Sequence, residues 1–588
     1  MSQVKHLNRN LFLYLPYLLF FLVSFIYFGF FGDYIGFFQE KSSLFVFSRE
    51  YLVQHLSKPG SPLIYAGKLL TAFFYYPAAG SLLLSSILCL TAYLISRIIS
   101  LLSSRDSLFI PLITGTVLFY LQTNYQYMIY NSLALLLQAG FFWFTVKYMK
   151  GWLPVFLAPL WYFITGGFAG IYLIMYILYL ALFLKKRGLP RIICLVVLAF
   201  IVIFLSKEFL FFQPLRSLII FPWSVNDIGG QFKLFIPVAG FISFLPAYAR
   251  VSIKLPERVR IPESFRKIIP VFIPLMMLII FAYAKYDLQN RQYFKVEKMF
   301  YQGRYDEVIA FNTKYPSNNM LTIFLNNIAL CETGKLNDML FHFRQSPDGQ
   351  TLFLKWEMLG EILKRGGWFY YTVGMINEAN RWAFENMVMK GHSPEGLKML
   401  IRTELINGNY SMTEKYIAVL RKSLFYKSDA QEFGKFLFND LAVEADPELG
   451  KKRRIKTESD FFVVTDDPYY NVDQLLSSGK GNRNAMEYKL AFLMITENYE
   501  GIAEELPYLE RYGYRNIPVH VEEAVMVYSL MLKGKQPETG NLSISPQTVT
   551  RFNQFLQTFQ LFNNDRKAAE PSLRQRFGNT FWYYAFYR

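Results

Sequence analysis

Apolar and aromatic residues run through the first half of the chain in long blocks almost free of charge. Near Lys285 the pattern changes, and charged residues return every few positions with helical spacing. The first pattern predicts membrane-spanning helices, because a hydrocarbon core of about 30 Å takes close to 20 apolar residues per helix. Nine candidate spans follow, near 11–31, 79–96, 108–122, 128–146, 152–165, 167–184, 192–206, 232–248 and 268–284. The uncharged stretch 152–184 would be roughly 50 Å long as one helix, too long for a single crossing. Basic residues flank both its ends, Lys147 and Lys150 before it and Lys185, Lys186 and Arg187 after it. Both ends therefore belong on one side, and Gly166-Gly167 is the expected hairpin turn.

From about Asp287 onward the pattern reads as paired amphipathic helices with short turns and no strand alternation. Gly303-Arg304-Tyr305-Asp306-Glu307-Val308 is followed, at a tetratricopeptide-like interval, by Gly334-Lys335-Leu336-Asn337-Asp338-Met339. Similar signals stand at Gly408-Asn409-Tyr410 and, without the glycine, at Glu497-Asn498-Tyr499. The small residue permits a tight inter-helix turn, and the aromatic or aliphatic residue two positions later fills the seam between helices. The irregular intervals predict a degenerate helical solenoid. The expected fold class is all-α: a polytopic transmembrane helix bundle over 1–285 with a large first outer loop at 32–77, then a tetratricopeptide-like α-solenoid over 286–588. Between Glu444 and Asn484 the repeat pattern lapses, and the basic run Lys451 to Lys456 reads as a solvated face or a docking site for an acidic partner. Trp382, Phe384, Tyr410, Tyr416 and Tyr488 could line a groove, but their helical spacing favours core packing for most of them. The terminal aromatic run Phe581 to Tyr587 is too short to span; it either folds back on the last repeat or touches the bilayer surface.

Charge adds orientation. The net charge of +17 would suit nucleic acid, but many Lys and Arg residues flank apolar segments, where the positive-inside bias accounts for them, so no nucleic-acid partner is expected. With the N-terminus cytoplasmic, the inner loops collect Arg97, Arg105, Lys147, Lys150, Lys185 to Arg187, Arg191, Arg250, Lys254 and Arg258. An odd number of spans then delivers everything after Lys285 to the far side, the periplasm for a bacterial inner membrane. The stretch Leu11 to Phe31 is too long for a signal peptide and lacks a small-residue cleavage site, so it reads as a retained first span. Cys89, Cys194 and Cys331 form no framework, and the scattered histidines exclude a zinc site. The spans offer neutral polar groups such as Asn131 and Gln138 rather than ionisable ones, which argues against ion-coupled transport and for helix-to-helix hydrogen bonds.

Carboxylates near the membrane cluster on the outer side: Asp33, Glu40 and Glu50 in the first loop, Glu208 and Asp227 before the eighth span. Within the first loop, Leu44 to Leu56 has a helical rhythm, Pro59-Gly60 breaks it, and Leu63 to Tyr76 resumes, which predicts two helices lying on the outer leaflet. A carboxylate directly after the first span, followed by such a loop, resembles the membrane-bound glycosyltransferases that use polyprenyl-phosphate sugars. That resemblance implies Asp33 as base or metal ligand, with Glu40 as second choice; no cofactor is expected otherwise, and a divalent metal belongs only to that reading. The Asp-Glu pair frequent in those enzymes is missing, because Tyr34 follows Asp33. Lys207 and Arg216 are the basic groups that could hold a lipid phosphate, or equally lie as interfacial snorkelers.

Phe73-Phe74-Tyr75-Tyr76-Pro77, Asn377-Glu378-Ala379-Asn380-Arg381-Trp382-Ala383-Phe384-Glu385, Lys415-Tyr416-Ile417-Ala418-Val419-Leu420 and Asn484-Ala485-Met486-Glu487-Tyr488 together resemble one uncharacterised family of multi-pass inner-membrane proteins from Bacteroidota with a tetratricopeptide-like periplasmic tail. The resemblance implies architecture and brings no catalytic residues. Two functions follow as expectations: a lipid-embedded protein whose periplasmic solenoid binds a protein or peptide partner, or a lipid-linked sugar transferase with its site at the outer leaflet.

Overall fold

The computed structural model describes residues 2–105, 107–223, 232–254, 263–355, 361–457, 463–464, 467–477, 481–532 and 535–587. Among them the chain is helical throughout, and its only bridge of extended backbone joins Val46 to Ser423. Two compact units result, one of residues 1–291 with 422–425, the other of 292–421 with 426–588.

In the first unit, helices form at every place where the apolar pattern expects a span: α1 (Ser2–Ile26), then, after the first loop, α5 (Pro77–Ser103), α6 (Phe109–Gln122), α7 (Ile129–Tyr148), α8 (Leu153–Thr165), α9 (Ala169–Tyr179), α10 (Leu189–Leu205), α11 (Phe235–Ser243), α12 (Leu245–Lys254) and α13 (Glu263–Ala284). By length and apolarity, five stretches among the described residues are adequate to cross a membrane, or seven if each of two bent pairs is one span. The expected nine exceeds that count for physical reasons. Helix α6, with 14 residues, rises only about 21 Å. The run from Leu153 to Arg187 is one apolar stretch of 35 residues, but it does not run straight. Pro159 of α8 and Leu173 of α9 line the same small cavity, whereas 14 residues of straight helix would hold them about 21 Å apart. Trp161 and Tyr172 likewise both meet Phe141, at ring-centroid distances of 4.1 and 4.6 Å. The reversal is at Gly166, whose φ of +59° suits a residue without Cβ.

The first loop holds three short helices rather than two: α2 (Asp33–Ser42), α3 (Arg49–Gln54) and α4 (Ser61–Ala72). Leu44 to Phe47, expected as helix, is extended because it pairs with the returning segment 422–425: Phe47 N–H donates to Lys422 O over 2.8 Å. Phe425 then stacks on Tyr75, with centroids 5.3 Å apart. Two hydrogen bonds between buried or half-buried polar groups join neighbouring helices of the bundle. Trp161 Nε1 donates to Gln138 Oε1 over 2.7 Å, and Ser132 Oγ donates to Gln122 Oε1 over 2.9 Å.

The loops of this unit gather at two ends. At one, Gln39 Nε2 donates to Tyr127 O (3.0 Å), Gly60 N–H to Phe163 O (2.9 Å), Gly167 N–H to Phe221 O (2.8 Å), and Tyr27 Oη to Lys285 O (3.1 Å). At the other, Arg105 Nη1 donates to Ser252 O (2.7 Å), Arg191 lies over Trp152 and Arg250 over Phe183. This second end carries the basic residues of the short connections. The first end carries Asp33, Glu40, Glu50, Glu208 and Asp287.

The second unit is built of helices that follow one another through tight turns: α14 (Leu288–Tyr301) and α15 (Tyr305–Lys314), α16 (Met320–Glu332) and α17 (Leu336–Met339), α18 (Ile362–Val373) and α19 (Ile376–Lys390), and α20 (Pro394–Asn407) and α21 (Tyr410–Arg421). After α22 (Leu449–Ile455) come α23 (Arg483–Ile495) with α24 (Tyr499–Glu505), then α25 (Val519–Met531), α26 (Pro546–Gln560), α27 (Arg566–Phe577) and α28 (Phe581–Tyr587). The terminal aromatic run folds back as α28: Phe581 and Trp582 are buried, and Trp582 Nε1 donates to Glu523 O over 2.7 Å.

Candidate functional site

The carboxylates singled out by sequence lie at the carboxylate-bearing end of the first unit. Asp33 opens α2 directly after Gly32. It is half-exposed, and its Oδ1 lies 3.9 Å from Arg291 Nε. That guanidinium also donates to Phe30 O and Tyr286 Oη, each over 3.0 Å. Asp287 next to it caps α14, accepting from Asn290 N–H over 2.9 Å. The Tyr34 hydroxyl is pushed far above its usual range, first by burial and then by Tyr27, Asp287 and Asp33, so it stays a neutral phenol. Glu40 lies two turns further along α2, about 10 Å up the helix axis. It is buried, with Lys41 Nζ 3.6 Å from its carboxylate.

The basic candidates are elsewhere. Lys207 pairs with its neighbour Glu208, both half-exposed, and Arg216 is exposed on the short helix Leu215–Ile220. Asp227 falls outside the described residues. Among the described residues, no three His, Cys, Asp or Glu side chains meet as a metal cage. Two cations that sequence reasoning passed over are better sheltered. Lys58 Nζ stands 3.7 Å above the Phe221 ring, and Lys68 Nζ stands 5.7 Å from the Tyr51 ring. Burial lowers the pKa of both. The aromatic density of the first loop was the available signal, since a lysine among rings finds cation–π partners.

In the second unit the geometry recurs. The five helix pairs turn through the same left-handed cap. Gly303 N–H bonds Phe300 O and Arg304 N–H bonds Met299 O, and the same two bonds recur at Gly334, Gly374, Gly408 and Glu497. Both orphan carbonyls at the helix end are thereby satisfied. The residue two places on, Tyr305, Leu336, Ile376, Tyr410 or Tyr499, is buried or half-buried in the seam. The turn at Gly374 was not legible beforehand. Of the aromatic groove candidates, Trp382, Tyr416 and Tyr488 are core residues, Tyr410 is half-buried and Phe384 is exposed.

Of the basic run Lys451 to Lys456, Arg454 is exposed, whereas Lys452 and Arg453 are engaged within the fold. Lys452, 1% exposed, is ion-paired to Glu332 of α16 and donates to Thr372 O of α18 over 2.9 Å. Arg453 donates to Leu405 O and Ile406 O of α20, over 2.7 and 3.2 Å. Helix α22 thus lays its cations across the C-terminal ends of helices, where free carbonyls and the helix dipole favour positive charge.

The profile of a family of unknown function, DUF6057, matches residues 8–588. The chain belongs to the DUF6057 family. No curated protein and no solved structure matches it. Both helical units are therefore DUF6057 structure, and the match carries no activity with it.

Proposed function

We propose that this DUF6057 chain is a multi-pass anchor in a bacterial inner membrane that presents its helical-repeat domain on the periplasmic side to a protein or peptide partner. The supporting observation is the repeated cap: one turn geometry closes five helix junctions, the junction a tetratricopeptide-like stack would use, and such stacks offer continuous surfaces to peptides and proteins. The orientation is supported by the short connections: those at the second end carry Lys147, Lys150 and Lys185 to Arg187, whereas 123–128 and 166–168 at the first end carry no basic residue, as the positive-inside bias requires of short cytoplasmic loops. The test uses the full chain in cells, with a photo-crosslinking residue placed in turn at Phe384, Val388 and Met412, all exposed. One discrete protein adduct is expected, together with an active periplasmic reporter fused after Arg588. No adduct at any position removes the partner, and a reporter active only in the cytosol removes the orientation.

A second reading, a lipid-linked sugar transferase, is favoured by one observation: Asp33 is half-exposed beside Arg291, directly after the first span. Cell-surface glycans compared between wild type, Asp33→Ala and Glu40→Ala test it. Unchanged glycans at normal protein levels end that reading.

A further inference from the structure

Helix α26 buries one face and leaves another open. Phe552 and Phe555 are buried, whereas Gln547, Thr550, Arg551 and Gln554 share the opposite side at helical spacing. That side forms one wall of a cleft of about 480 Å³, whose other wall is Arg576 and Phe577 at the end of α27. The volume falls in the range of ligand sites. Among the described residues lining it there is no carboxylate.

The two guanidiniums are held by neutral groups alone among the contacts described. Arg551 Nη2 donates to Asn579 Oδ1 over 2.9 Å, and Arg576 Nη1 donates to Thr558 Oγ1 over 3.1 Å. The Arg576 guanidinium also lies 5.3 Å from the Phe577 ring centroid. A guanidinium has five N–H donors in a planar fork, so each arginine is fixed in place with most of its donors still directed outward. Elsewhere in this unit arginines meet carboxylates: Arg365 with Glu297, Arg381 with Glu378, Arg402 with Glu448 and Arg453 with Asp440. In this cleft two guanidiniums line one surface with no carboxylate beside them among its lining residues.

We propose that this cleft binds an acidic peptide segment, with Arg551 and Arg576 taking its carboxylates. The neutral lining selects peptide over a small anion. Gln547, Gln554 and Thr550, all exposed, present amide and hydroxyl groups that can bond a peptide main chain. A compact inorganic anion would use the arginines and leave this lining unengaged. The assignment rests on reading the unit as a partner-binding domain and names the chemistry of the segment it takes.

The experiment uses the full-length protein in detergent and measures anisotropy of a fluorescein-labelled peptide of alternating Glu and Gly, beside the same peptide with Gln for Glu. The Glu peptide binds and the Gln peptide does not, and added salt weakens binding. Arg551→Gln and Arg576→Gln each weaken it about tenfold or more, the effect of one charge-assisted contact. Arg574→Gln, an exposed arginine of the same helix outside the cleft, leaves it unchanged. Arg576 is exposed, so its variant reports even if loss of the Arg551 to Asn579 bond unsettles the fold. Equal loss in Arg574→Gln would reduce the effect to general surface charge and overturn the proposal. So would displacement of the peptide by equimolar inorganic phosphate. If the crosslinked adduct from Phe384 forms while the Glu peptide fails to bind, the partner is engaged elsewhere and this site alone falls.

Discussion

Glu487 is the residue at which burial acts most plainly on chemistry. It lies on α23, accepts from Leu336 N–H over 3.2 Å, and burial pushes its carboxyl up to about 7 although Arg483 pulls the other way. A carboxyl whose folded pKa exceeds its unfolded value stabilises the fold fully below the unfolded pKa, and that contribution is lost as pH rises through the folded one. Between about pH 4.5 and pH 7 the second unit should therefore lose on the order of 3 kcal/mol, and Glu487→Gln should flatten the profile, as read by denaturant titration of the full chain. Glu361 does not interfere in that window. Burial raises its pKa, but Arg365 outweighs burial and brings it to about 2, so its contribution is complete above its unfolded value and fades only in stronger acid. Arg365 itself is 1% exposed and faces Glu297 at 0%. Arg365→Met should cost about 3–5 kcal/mol in the same titration, because it strands a buried carboxylate. The Arg365 to Glu297 pairing was not legible in sequence, since partners 68 residues apart leave no local mark, whereas Glu361 with Arg365 and Arg483 with Glu487 stand at the four-residue spacing of helical neighbours.

At the scale of elements, two glycines with the same sign of φ predict different outcomes. Gly408 ends α20 at φ +79° with open space where a Cβ would stand, so Gly408→Ala should cost only the left-handed strain, about 1 kcal/mol. At Gly166 a Cβ would stand 2.4 Å from Phe221 O and 2.8 Å from Gly60 Cα. Gly166→Ala should therefore cost on the order of 3 kcal/mol. Thermal melting of the two purified variants separates the cases, and equal shifts would contradict the close approach of the three loops. Elements were the most legible part of the chain. Long apolar runs and basic flanks located the helices and the turn at Gly166, and Gly-x-Tyr or Gly-x-Leu located the inter-helix turns at Gly303, Gly334 and Gly408. Gly374 escaped because Met375-Ile376 carries no distinctive signal. Leu44 to Phe47 was misread because apolar spacing cannot register a strand partner that arrives from residue 423.

For the whole molecule, apolar composition established a membrane unit followed by a polar helical one, but not how many times the chain crosses. Hydropathy measures length and apolarity, and α6 and the two legs at Gly166 fall short on the first while satisfying the second. The candidate site was less legible still. Asp33 and Glu40 share a helix and differ in burial, which depends on what packs over each of them. The latch formed by α22 bears on how such a protein can change over evolutionary time. An open array of helical repeats tolerates the gain or loss of a unit at little penalty, because each touches only its neighbours. Here Lys452 and Arg453 fasten helices from three different pairs at once, so excising any of those pairs would strand the cations that the others depend on. The domain is in that sense a closed assembly, with its length fixed by a lock rather than left free to grow.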